Sequence, residues 1–152
     1  MMSNDEKKKI NVQEIKEYWL EEALEALNVA DHFYEKNDYS YSLFFGHLAI
    51  EKLLKGLFVL KKGEHAPYIH NLQRLAEILD IKLTDDQTEK LITITRFNLE
   101  SRYPDQKRSF RKKCTKEFTE NELKKIRNVD EITSPSRRTD LGRICLISDH
   151  KS

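Results

Sequence analysis

The sequence predicts an all-α fold, an up-and-down four-helix bundle with an additional short helix, and three observations carry that expectation. Apolar residues recur at helical spacing over most of residues 12–127, no long stretch alternates with period two, and only four glycines and three prolines are available for turns. The 152 residues suit one domain, and 9% aromatic residues beside 35% charged ones describe a modest core under a wet surface.

Residues 1–11 read as a charged, disordered leader. From Val12 to about Lys36, Ile15, Trp19, Ala23, Leu27, Ala30 and Phe33 form one stripe, with Glu17, Glu21 and Glu25 on a polar face. Asn37-Asp38 breaks this helix, and Asp38 is placed to cap the next. The second helix, Tyr39 to Lys62, turns Leu43, His47, Ile50, Leu54 and Leu57 inward and has few positions left for solvent, which makes it the central one. Gly46, Ala49 and Gly56 let neighbours come close, and Lys61-Lys62-Gly63 supplies a basic last turn and a left-handed stop.

A connector, Glu64 to His70, leads to a short helix over about Asn71–Leu79. Thr84 and Gln87 sit at the capping-box positions of a further helix carrying Leu91, Ile94 and Phe97. Pro104 marks a break near Tyr103. A last helix is expected from about Lys116 to Arg127, using Phe118, Leu123 and Ile126, and residues 128–152 read as an irregular tail.

Several chemistries find no support in the residues. No apolar run approaches the roughly 20 residues of a membrane helix, and the N-terminus lacks the apolar core of a signal peptide, so the expected compartment is the cytoplasm. Cys114 and Cys145 form neither a metal spacing nor a disulfide framework. No histidine has a glutamate three residues before it, as a di-iron bundle requires, and neither a serine elbow nor a glycine-rich phosphate loop occurs. No metal, no catalytic residue and no cofactor other than a nucleotide ligand is expected.

Three features remain. His47, Glu51 and Lys55 form a polar line one turn apart on the central helix, flanked by Lys52; such residues need partners, which a neighbouring helix, a second subunit or a ligand can supply. Arg102, Tyr103 and Asp105 surround Pro104 on a rigid turn, where an arginine fork grips phosphate and a ring stacks on a base, or where Arg102 and Asp105 staple the turn. Seven basic residues (Arg102, Lys107, Arg108, Arg111, Lys112, Lys113 and Lys116) and one acid, Asp105, fall between Ser101 and Lys116, a local charge of +6 in a chain of net charge +1. Lys107, Arg108, Arg111 and Lys112 are the candidates for contact with nucleic acid, against the plain reading of a solvated face.

The order Tyr18-Trp19, then Phe44-Phe45-Gly46-His47-Leu48-Ala49-Ile50-Glu51-Lys52-Leu53-Leu54-Lys55, His70-Asn71-Leu72, and Phe97-Asn98-Leu99-Glu100-Ser101-Arg102-Tyr103-Pro104-Asp105 resembles the prokaryotic HEPN proteins (higher eukaryotes and prokaryotes nucleotide-binding) over about residues 12–127. The resemblance implies a bundle of four main helices plus a short one, a homodimer, and a minimal nucleotidyltransferase as partner in a toxin–antitoxin or other two-component pair. Other members are ribonucleases with an Arg-x(4–6)-His motif. Here Arg96 meets Ser101, Arg102 and Tyr103 at the histidine positions, and Arg102 meets Lys107, Arg108 and Ser109. The one formal match, Arg143 to His150, falls in the expected tail.

On this resemblance Arg102 holds phosphate, Tyr103 stacks or hydrogen-bonds, Asp105 orients Arg102, and His47, Glu51, Lys52 and Lys55 line a cleft with His70 at its mouth. The expected function is non-catalytic binding of a nucleotide, a nucleotidyltransferase, or both. The alternatives are an RNA-cleaving protein with an unconventional site, and an adaptor whose polar helix residues only specify the dimer.

Overall fold

The computed structural model describes residues 10–131, and within them the chain is mostly helical, with no strand. Among the described residues six α-helices occur: α1 (Val12–Glu35), α2 (Tyr39–Lys62), α3 (Leu72–Ile78), α4 (Asp85–Glu100), α5 (Pro104–Lys113) and α6 (Lys116–Arg127), followed by a 3-10 turn, Asn128–Glu131. The all-α expectation holds. The leader's first nine residues and the tail beyond residue 131, with Cys145, Arg143 and His150, lie outside the described residues.

α1 begins where the Asn11 side chain accepts from the Glu14 amide, and it ends at a turn in which Asn37 takes a left-handed φ of 64°. α1 and α2 form the most extensively packed pair. The Ser42 hydroxyl donates to the Ala30 carbonyl at 2.7 Å between them, and Gly56 lets α1 approach so closely that a Cβ would stand 3.2 Å from that of Trp19. Asp38 sits at the α2 N-cap as the sequence suggested, but its side chain makes no capping hydrogen bond. Gly63 closes α2 in the left-handed conformation that glycine adopts without penalty.

α2 is central, touching α1, α3, α4, α5 and α6. Leu43, Ile50, Leu54 and Leu57 are buried against Leu72, Leu75, Leu91, Ile94 and Phe97. The Thr84–Gln87 capping box starts α4, and the Thr115 side chain caps α6. α6 lies on α2 with Ile126 over Gly46, and Arg127 pairs with Asp31 of α1.

One helix was not expected. Pro104 does break the chain at Tyr103, but it then occupies the first turn of α5, where its fixed φ suits a helix and its missing N–H costs nothing. Phe110 alone anchors α5 in the core, so periodicity gives almost no signal there. The expected tail also begins in order: Val129, in the 3-10 turn, is buried.

Candidate functional site

Helical spacing stacks His47, Glu51 and Lys55 on one face of α2, and the fold buries all three: His47 is 0% exposed, Glu51 and Lys55 5% each. Glu51 is the hub. Its Oε1 accepts from His70 Nδ1 at 2.8 Å, and its Oε2 accepts from Lys55 Nζ at 3.3 Å. The His70 carbonyl accepts from His47 Nε2 at 3.0 Å, so the connector after α2 is held on that helix at two points within one residue. One residue beyond Asn71, the Leu72 amide donates to Thr95 Oγ1 on α4 at 3.1 Å.

These bonds fix the tautomers. A carbonyl can only accept, so His47 Nε2 carries hydrogen; a carboxylate can only accept, so His70 Nδ1 does too. His47 Nδ1 is left buried without a hydrogen-bond partner. Burial holds the His47 pKa below its ordinary 6.5. The hydrogen bond to the His70 carbonyl and the charge of Glu51 oppose that shift, while the positive charges of His70 and Arg102 reinforce it. The charge of Arg102 thus bears on the buried ring.

Lys52 and Lys55 flank Trp19 of α1, their ammonium groups 5.8 and 5.6 Å from the ring centroid, and Lys52 also pairs with Glu22 at 3.6 Å. At the open side, His70 is 63% exposed in its side chain and Arg102 is exposed. Arg102 Nε donates to the Asn98 carbonyl at 3.1 Å, which fixes the guanidinium at the end of α4. Tyr103, half exposed, is the N-cap residue of α5.

The structure thus brings together His47, Glu51, Lys55, His70 and, through its charge, Arg102, with Lys52 beside them on Trp19. Asp105 stands apart from its expected role: it lies exposed in the first turn of α5, and among the described residues no ion pair joins it to Arg102, whose partner is the Asn98 carbonyl instead. Of the basic candidates, Lys107 is half-buried with its ammonium 5.7 Å from the Tyr41 ring, whereas Arg108, Arg111 and Lys112 are exposed along α5.

Sequence reasoning left out Trp19 and Asn98 as members of the site. Asn98 is buried, with Oδ1 unpartnered, in the last turn of α4, and Arg102, four residues on and just past the end of that helix, folds back onto its carbonyl. Cys114 is buried, and burial pushes its thiol up to about 12, which keeps it in the thiol form. Among the described residues no three His, Cys, Asp or Glu side chains converge on a possible metal position, and no helix is long and apolar enough to cross a membrane.

The sequence pattern of the HEPN domain matches residues 16–135, most of the chain. The chain belongs to the HEPN family. No curated protein matches it. Among solved structures it is similar to TT1696 from Thermus thermophilus, with a TM-score of 0.66 and 24% identity over 77% of this chain and 94% of that one, a likeness of fold. Within this HEPN bundle the polar cluster occupies the middle of the central helix, roofed by the connector and flanked by the end of α4.

Proposed function

We propose that this HEPN protein binds a nucleotide through the cluster on α2 and serves as one half of a two-component pair with a minimal nucleotidyltransferase, itself as a homodimer. One observation carries the reading: a charged pair, Glu51 and Lys55, is buried at 5% exposure beneath the exposed His70, one turn from His47, on which the charge of Arg102 acts. Buried ion pairs are replaceable by apolar residues at little or no loss of stability, so packing alone gives no reason for these charges. A ligand bearing phosphate does. Arg102 offers a charge-assisted fork at the surface, Tyr103 a half-exposed ring for a base, and His70 a polar group on the same rim.

The test is calorimetric titration of the purified chain with AMP, ATP and GTP. Loss of one charge-assisted contact in Arg102→Ala is expected to weaken binding about tenfold or more, with the melting temperature retained. Equal binding by the variant removes Arg102 from the site, and no binding by the wild type overturns the nucleotide reading. A tagged pull-down from native lysate addresses the partner: a stoichiometric nucleotidyltransferase supports the pair, and a bare homodimer leaves a stand-alone binder.

A second reading, cleavage of RNA, is favoured by the exposed line of Arg108, Arg111 and Lys112 on α5, a helix capped by Tyr103. The Arg-x(4–6)-His motif is absent from the helical residues, and a missing general acid–base group forfeits about 10²–10⁴ in rate. Incubation with total RNA in chelator decides: fragments ending in cyclic phosphate establish cleavage, and intact RNA returns the chain to binding alone.

A further inference from the structure

We propose that the connector over residues 63–71 is an acid-released latch, closed when His47 is neutral and opened when His47 takes a second proton, which uncovers the Glu51–Lys55 pair. The inference goes beyond ligand binding and stands whether or not the cluster holds a nucleotide.

The latch has few fastenings. Between the α2 C-cap and α3 the chain makes one backbone hydrogen bond within itself, Ile69 N–H to the Pro67 carbonyl. It is tied to α2 by the His47–His70 carbonyl bond and the His70–Glu51 bond, and to α4 by the Leu72 amide on Thr95. Ala66 and Ile69 pack against the core, while Tyr68 is fully exposed.

The neutral ring fits this closed state and the protonated ring does not. His47 Nδ1 is buried with no hydrogen-bond partner, so a proton placed there becomes a buried donor with no acceptor. The charged groups that act on the ring are Glu51 on its own helix, His70 on the connector and Arg102 at the end of α4, and two of these three are cationic when charged. The single attractive group is already engaged: Glu51 Oε1 lies 3.9 Å from His47 Nε2 but accepts from His70 Nδ1 at 2.8 Å. A charged His47 therefore competes with His70 for one oxygen. If it wins, both ties between connector and α2 are lost together, because its own Nε2–H leaves the His70 carbonyl to reach Glu51.

The sign follows from linkage. The open state exposes a ring of ordinary affinity for protons, and the closed state binds the proton more weakly, so opening takes up a proton. Closure is complete above pH 6.5 and weakens as pH falls towards the lower value of the closed state. For one proton the open-to-closed ratio rises by up to about tenfold per pH unit within that window.

Hydrogen–deuterium exchange on the full chain tests this, with protection corrected for the intrinsic pH dependence of exchange. Peptides covering residues 63–71 are expected to lose protection by up to about fivefold between about pH 6.5 and 5.5, while the α1–α2 core retains it. In His47→Gln, whose amide can still donate to the His70 carbonyl but takes no proton, the connector's protection is expected to stay constant. An equal loss in that variant, an unchanged connector in the wild type, or simultaneous loss in the core overturns the latch. Should the variant fail to fold, wild-type NMR decides: the His47 ring signals and the 63–71 amides must titrate with one midpoint, and connector movement while the ring stays neutral is fatal to the idea.

Discussion

Glu51 and Glu122 are each 5% exposed, yet Glu51 has both carboxylate oxygens paired and Glu122 has one. Glu51 draws partners from two parts of the chain, Lys55 on its own helix and His70 nineteen residues away on the connector. Glu122 relies on Lys125 of its own helix, at 3.0 Å and with a half-exposed side chain, and its Oε2 is buried without a partner. Thr119, one turn earlier and wholly buried, has a hydroxyl in the same condition. Burial alone thus says little about what a charge contributes. What matters is how many neighbours are left stranded when it is removed.

The largest effect is expected where the network is complete. Glu51→Leu strands the Lys55 ammonium in a buried position and frees His70, and breaking a buried pair from one side costs about 3–5 kcal/mol. Glu51→Leu combined with Lys55→Met removes both charges and is expected to recover most of that loss, since similar replacements elsewhere are close to neutral. Urea denaturation of the two variants gives the measurement. If the single change costs no more than removal of Glu122, the contrast between the two glutamates is only geometric.

How much of this was legible beforehand follows from the same distinction. The His47–Glu51–Lys55 line is a matter of four-residue spacing, and the buried face of α2 around it was readable from Leu43, Ile50, Leu54 and Leu57. Nothing in local spacing pairs His70 with Glu51; only the family resemblance placed it at the mouth of the cluster. The connector's backbone brings it there, through bonds to a carbonyl and an amide that no pattern of side chains records.

Arg102 and Asp105 illustrate the opposite error. Three residues apart and oppositely charged, they invited pairing, but Pro104 starts a new helix between them and Arg102 folds back on Asn98 instead. α5 itself escaped because a helix anchored by Phe110 alone carries almost no periodicity. Its other markers were in plain view: proline at the first turn, Asp105 following, and Arg111, Lys112 and Lys113 in the last turn, each matching the helix dipole.

Glu122→Leu sharpens the comparison from the other side. It removes a carboxylate whose Oε2 is buried and unpartnered, and what it gives up is a bridge to a half-exposed lysine, worth about 1 kcal/mol or less. Relief of the stranded oxygen offsets that loss, and the added apolar contact favours the variant further. Stability equal to wild type, or about 1 kcal/mol higher, is expected by the same denaturation assay. A loss of several kcal/mol would mean that Glu122 Oε2 has a partner in solution, and would make the two glutamates alike.

The smallest change isolates the hydroxyl. Thr119→Val keeps the branched shape, deletes an oxygen that is buried with no partner, and is expected to stabilise the fold by about 1 kcal/mol or less. Ser42→Ala is its counterpart, because Ser42 is equally buried but its hydroxyl donates to the Ala30 carbonyl between α1 and α2. That deletion is expected to cost about 1 kcal/mol. Opposite signs at two wholly buried hydroxyls would tie the difference to satisfaction of the hydrogen bond, since neither residue has solvent to fall back on. Equal signs would show that packing around Thr119, and not its missing partner, governs that part of α6.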